Sequence, residues 1–333
     1  MEEAAKTIFC AGFTWISSKN GHAWWVGLRY NGQKGDEFMT EHPMIRCVER
    51  AAKFLESEMR RDSTPSLEAI ADASGLSKYH FHRVYRLVTG ETVLQTTTRL
   101  RLALGASVLR NDETSVTEAA FVAGYSSSQA FAKAFKRKLD QSASIVRSDP
   151  ERLATSIRIL SEPGEPTGTR HIPTARIELC SLDPFEILFI RTEDKYPELA
   201  ETYRSLFEAV GDPQFIDAVI GVPYRDIETF DDGGFIFDSA LVTKRRAEGQ
   251  ENRIERRSID GGDYLVVRHT GPDNRLPDTL DALYAFVLGQ INLTLSNAPC
   301  IHHFVDDPEE VDESRCRTDI YVKVEDLKVG RYD

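Results

Sequence analysis

From residue 45 onward the apolar positions fall at helical spacing. Ile45, Val48, Ala51, Ala52, Leu55 and Met59 share one stripe, and the run stops where 62–66 bring in Pro65. Helices of modest length continue to Ser148, the longest over 92–110 with Leu100, Leu104 and Leu109 among its apolar positions. Pro150, Pro163, Gly164, Pro166, Gly168 and Pro173 then crowd 149–173, a density of breakers that predicts a linker. Beyond it the period drops to two. Strands are predicted at 175–182, 186–192, 218–224, 235–243, 254–259, 264–269, 301–305 and 320–324, with helices at 197–210 and 276–291. Strand, helix and strands thus occur twice, and the helix entries look alike: Phe189-Ile190-Arg191-Thr192 before the first, Val267-Arg268-His269-Thr270-Gly271-Pro272 before the second. This predicts an internal duplication of a β-α-β-β unit, with a cleft between the halves of the kind ligands favour. Residues 1–43 carry Gly12, Gly21, Gly27, Gly32, Gly35 and the Trp24-Trp25 pair with no sustained period. They read as a weakly specified leader or extension, with a small N-terminal subdomain as the alternative. The expected chain is multi-domain: an all-α region over 44–148, a linker over 149–173, and an α+β domain of two pseudo-symmetric β-α-β-β units over 174–333.

Two stretches of the helical region share one anatomy. In 67–85, Leu67, Ile70 and Ala71 face inward on a first helix, Gly75 supplies a tight turn, and Ser77 caps a second helix buried through Phe81, Val84 and Tyr85. Lys78, Tyr79, His82, Arg83 and Arg86 remain on the outer face, where donors and aromatics can meet phosphates and base edges. In 115–135, Ser115 and Glu118 make a capping box, Gly124 is the turn, and Phe131 and Phe135 form the buried stripe. Ser128, Gln129, Ala132, Lys133 and Lys136 point outward. A pair of helix-turn-helix units joined by one helix can set two readers in successive major-groove segments, about 34 Å apart.

Charge divides the chain in the same way. The net charge of -12 is uneven: 44–148 holds 16 Lys and Arg against 11 Asp and Glu, whereas 174–333 holds 18 against 33. The helical half can neutralise phosphates and release counterions, and the acidic half is repelled by the same duplex. Cys10, Cys47, Cys180, Cys300 and Cys316 form no CxxC pair, which fits free thiols in the cytoplasm. The apolar stretch near 7–15 is shorter than a bilayer span and lacks a basic flank, so neither an export signal nor a membrane partner is expected.

The motifs resemble those of the AraC/XylS family of transcriptional regulators, in the Rob-like architecture that adds a GyrI-like effector-binding domain after the DNA-binding domain. The matching residues are Ser77-x-x-His-Phe-His-Arg83, Gly90-Glu-Thr-Val93, Arg99-Leu-Arg-Leu102, Gly124-Tyr125, Ala130-Phe131 and Ala134-Phe-Lys-Arg137. The resemblance implies that Tyr79, His82 and Arg83, and then Ser128, Gln129 and Lys133, sit where family members touch double-stranded DNA. Thr96, Asp140 and Ala143 depart from it, standing where an aromatic, a glycine and a proline are usual.

The last 160 residues resemble the GyrI-like domain through Glu186-Ile-Leu-Phe-Ile-Arg191 with Tyr196, Phe237-Asp238, Ile259-Asp-Gly-Gly-Asp-Tyr264, Gly271-Pro272, Asp307-Pro308 and Thr318-Asp-Ile-Tyr321. The resemblance implies an aromatic-lined cleft for a small effector, with Tyr196, Phe237, Tyr264, His302 and Phe304 as its lining. Many members carry glutamate where His302 stands, and an imidazole compensates a cation poorly, so neutral or anionic effectors are expected. The expected function is a DNA-binding regulator, an activator in sign, that touches RNA polymerase and uses no cofactor. The alternatives are that the C-terminal domain hydrolyses electrophilic small molecules or sequesters a protein partner. No Ser/His/Asp constellation stands in order, and no catalytic residue is assigned. Cys300, His302, His303 and Cys316 are no zinc set, because strand neighbours alternate between faces.

Overall fold

The computed structural model describes residues 42–60, 65–161, 175–193, 199–224, 236–245, 253–290 and 292–326. The expectations for 1–41 and for Tyr196 lie outside the described residues. Those described fall into two compact units. One draws on the described residues within 47–75 and 84–161, the other on those within 42–46, 76–83 and 175–326.

Eight helices are seen among the described residues up to 161: α1 (Pro43–Arg60), α2 (Leu67–Ser74), α3 (Phe81–Thr89), α4 (Val93–Val108), α5 (Val116–Val122), α6 (Ser128–Leu139), α7 (Ala143–Arg147) and α8 (Pro150–Ser161). Side-chain caps set their starts. Ser66, Thr92, Ser115, Ser127 and Ser142 each accept a backbone N–H three residues on, and Thr92 with Gln95 and Ser115 with Glu118 complete reciprocal capping boxes. Leu102, Leu109, Phe131, Phe135, Leu153 and Leu160 fill a common core. Each buried aromatic contributes about 1.5–3 kcal/mol there. Gly105 lets α4 approach α6, since a Cβ at that position would run into the Phe131 ring.

Helix α8 corrects the linker expected over 149–173. Pro150 opens that helix instead of breaking one, because a first-turn proline loses no intrahelical bond and its fixed φ suits the start. Asp149 accepts the backbone N–H groups of Glu151 and Arg152, and Leu153 and Leu160 are buried. A polar cluster lies beside this core. Glu91 receives Arg99 Nε at 2.8 Å, and Arg99 Nη1 donates to the Leu160 carbonyl at 3.0 Å. Thr96, at the position expected to hold an aromatic, donates to Glu91 at 3.1 Å and accepts the Tyr85 hydroxyl at 3.1 Å.

The other unit carries an antiparallel sheet of β1 (Ile177–Leu182), β2 (Phe185–Glu193), β3 (Ala218–Pro223), β4 (Ile236–Val242), β5 (Glu255–Ile259), β6 (Gly262–Thr270), β7 (Leu293–Leu295), β8 (Ile301–Phe304) and β9 (Arg317–Asp326), with helices α9 (Leu199–Val210) and α10 (Leu276–Leu288). Its strand order is β1-β6-β9-β8-β3-β4-β2-β5, and β7 pairs with β9. The order reads the same from both ends once β2-α9-β3-β4 is matched to β6-α10-β8-β9. The duplication is therefore present, its pseudo-twofold axis between β3 and β8 where Gly221 faces His302. Each half also holds the same ion pair in register. Arg191 on β2 grips Asp238 on β4 through Nε and Nη2 at 2.8 and 3.0 Å, and Arg268 on β6 grips Asp319 on β9 at 2.6 and 2.6 Å.

Candidate nucleic-acid interface and effector face

The second reader is α5, a turn and α6. The turn closes because Gly124 adopts φ +74°, a left-handed conformation glycine reaches without a Cβ clash. Ser127 then caps α6, and Phe131 and Phe135 are wholly buried. On the opposite side Gln129, Lys133 and Lys136 are exposed, with Ser128 and Ala132 half-buried beside them. An amide and two ammonium groups at helical spacing offer one base-edge donor and acceptor flanked by phosphate contacts. Helix α6 ends at Asp140, which takes the left-handed conformation at φ 55°.

The first reader is α2, a turn and α3. Gly75 at φ +75° donates its N–H to the carbonyls of Ala71 and Asp72. Ser77 begins the turn that leads into α3: its carbonyl accepts His80 N and Phe81 N, and its hydroxyl accepts Tyr79 N at 3.3 Å. Of the five side chains expected to point outward, Lys78 is exposed, Tyr79, His82 and Arg86 are half-buried, and Arg83 is buried. The reason is packing that one-dimensional spacing does not contain: Leu76–Arg83 belongs to the same compact unit as the sheet. Arg83 Nη1 donates to Asp281 Oδ1 at 2.5 Å and to the Pro277 carbonyl at 3.2 Å, both on α10. The Tyr79 ring meets Tyr224 edge-on at 5.8 Å between centroids.

His80 lies between these two contacts. Its Nε2 is 3.2 Å from the Ser296 carbonyl and its Nδ1 is 2.6 Å from the Tyr284 hydroxyl. A carbonyl only accepts, so Nε2 carries the proton and Nδ1 accepts from the phenol, which defines a neutral ring. Burial pushes the His80 pKa down to about 4, against a smaller opposing effect of the bond to the Ser296 carbonyl.

The sheet presents two faces. Ser239 on β4, Gly221 on β3 and His302 on β8 are directly paired in register, so they share a side, with Phe237 and Phe304 two residues along. Helix α9 lies on this side: Thr202 donates to Ser239 at 2.7 Å, and Tyr203 packs edge-on against Phe304 at 6.0 Å. Gly221 is fixed by Phe237, whose ring occupies the space a Cβ would need. Phe237, His302 and Phe304 are thus brought together. Tyr264 is not, because it pairs with Lys323, out of phase with His302 and Ile320, and it sits in the opposite core with its hydroxyl donating to the Asp260 carbonyl. The alternation of side chains along β6 excludes it from the predicted lining.

That opposite side holds a charged cluster that sequence reasoning missed. Asp238 is fully buried, bound by Arg191, accepting the Tyr224 hydroxyl at 2.7 Å and lying 2.9 Å from Arg257 Nη2. Arg191 also stacks on the Tyr224 ring at 4.5 Å. Burial, followed by the bond to Asp238, pushes the Tyr224 phenol up to about 12, which keeps it a donor. The sequence signal was the arginine common to the two helix entries, and its partners lie 47 and 51 residues downstream, too far apart for local pattern to reveal.

Comparison with known proteins agrees with both halves. Residues 70–149 match the family described as a helix-turn-helix domain, and 175–325 match the GyrI-like small molecule binding domain. The right origin-binding protein of Escherichia coli K12 is 25% identical over 245 residues, covering 70% of this chain and 82% of that protein. The transcriptional regulator Rob of Salmonella typhimurium is 24% identical over 251 residues, with the same two shares. The regulatory protein SoxS of Salmonella typhimurium is 34% identical over 86 residues, which is 26% of this chain and 80% of SoxS. Two glycine-turned readers followed by a duplicated sheet, matched over most of the length of such relatives, make this chain a member of the AraC/XylS family of DNA-binding transcription regulators, in the form that carries a GyrI-like effector-binding domain.

Proposed function

We propose that this regulator reads a specific duplex through Lys78, Tyr79, His82, Arg83 and Arg86 in the first reader and Ser128, Gln129, Lys133 and Lys136 in the second. In this reading its GyrI-like domain takes a small neutral or anionic effector on the face carrying Phe237, His302 and Phe304. The observation that carries it is α6: its aromatic stripe is sealed inside while Gln129, Lys133 and Lys136 stand exposed on the other side. Gln129 reads a base edge, and the lysines hold the backbone.

The buried His302 stands beside Gly221 at the pseudo-twofold axis. Its Nε2 lies 3.7 Å from Cys300 Sγ, and an imidazole there lacks the negative charge by which a carboxylate would select cations. The protein works without catalysing a reaction, in the cytoplasm, and as an activator that contacts RNA polymerase. No helix among the described residues is long and apolar enough to cross a membrane.

Selection of duplexes from a random-sequence library by the full chain tests the first half. Enrichment of one motif with a steep salt dependence is expected, and equal affinity for all sequences would remove the reading. Calorimetry with an aromatic carboxylate and a lipophilic cation tests the second half. H302E is expected to shift preference toward the cation, and an unchanged preference would sink the assignment of that face.

A further inference from the structure

We infer that the face of α10 formed by the Pro277 carbonyl, Asp281 and Tyr284, with the Ser296 carbonyl beside it, is a docking surface for the first reader's own DNA-facing side, and that DNA must displace it. The inference rests on the proposal that Tyr79 and Arg83 touch DNA.

Two contacts define the surface, and a third holds the same segment beside it. Arg83 is 5% exposed in its ion pair with Asp281, whose carboxylate stands where a phosphate or a guanine edge would stand in a duplex complex. His80 is locked by Tyr284 and Ser296. Tyr79 is engaged by Tyr224, just past the end of β3. A guanidinium held against α10 does not enter a major groove, so docking and reading exclude each other. In the second reader Gln129, Lys133 and Lys136 are exposed among the described residues. The segment is also tied to the sheet that carries the effector face: Tyr224 follows β3 directly, with its ring on the opposite side of the sheet from Gly221 and His302. An effector that shifts β3 or α10 changes the grip on Leu76–Arg83, which links ligand to reader without a long path.

The test uses the full chain and the duplex motif selected by D281N from a random-sequence library. D281N keeps the shape of the side chain and removes its charge, and Y284F keeps the ring and removes only the hydroxyl. Each is expected to bind the selected duplex about tenfold tighter than the unaltered chain, with a salt slope steeper by about one phosphate contact. Adding R83A to D281N is expected to abolish the gain. Hydrogen exchange without DNA is expected to show the amides of 78–83 losing protection in both single variants. Equal affinity and unchanged protection would overturn the docking surface. Loss of protection with no effect of R83A on affinity would overturn it through its premise, by removing Arg83 from the reader.

Discussion

The two readers are built from the same parts and sit in different surroundings. Each has a capped first helix, a left-handed glycine at the turn and an aromatic stripe behind its second helix. Yet α6 leaves its polar side to solvent, while the turn and start of α3 in the first reader have their arginine in an ion pair, their histidine sealed and their tyrosine edge-on against another ring. Local pattern specifies the part, and the packing around it specifies whether the part is available. On the docking proposed above, one reader is ready and the other is kept in reserve.

The comparison can be broken or sharpened by experiment. The largest effect is expected from R99A, which strips the buried Glu91 of its main counter-charge and costs about 3–5 kcal/mol. Urea unfolding should register it, and a loss below about 1 kcal/mol would show that the cluster does not hold the helices. Next comes the contrast between equivalent positions. Q129A is expected to lose about 1–3 kcal/mol of discrimination at one base position. Y79A in the unaltered chain should lose less than it does in a D281N background, and equal losses would erase the difference between the readers.

Acidity gives a third measure. His80 is neutral in its buried site, with a pKa of about 4 against an ordinary value of 6.5, and the groups around it are Tyr284, the Ser296 carbonyl and the nearby Arg83–Asp281 pair. A base whose pKa is depressed by docking favours the docked state fully above its free pKa and loses that advantage as pH falls. Between pH 7.5 and 5.5 docking should weaken about tenfold, or about 1.4 kcal/mol, in the exchange protection of 78–83. An H80N variant should flatten the curve. The smallest effect is at Asp140, where D140G relieves a left-handed conformation and removes a negative charge from a helix C-terminus. A gain of about 0.5–1 kcal/mol in thermal unfolding is expected for the second reader, and a loss would mean that the Asp140 side chain is needed there.

Much of this was legible in residues alone. Ser115 with Glu118, Gly75, Gly124 and the Phe131–Phe135 stripe predicted both readers, because caps, turns and helical periods are local properties. The duplication was visible in the repeated helix entries. The helix at 150–161 was missed because a proline at its first position reads as a breaker without the packing of Leu153 and Leu160 to reveal it. Tyr264 was misplaced because membership of a face depends on register, and register depends on partners 59 residues away in Lys323. The hold on Arg83 was invisible because Asp281 lies 198 residues away and its helix looks like any other amphipathic one.

The sheet carries one more consequence. β1 leads into β2 but pairs with β6, and β5 leads into β6 but pairs with β2. Each half therefore wears its sister's leading strand as its border. A gene fragment encoding a single half would have no place for that strand except on another molecule, so it should assemble as a strand-exchanged dimer, and the present chain is the covalent form of that embrace.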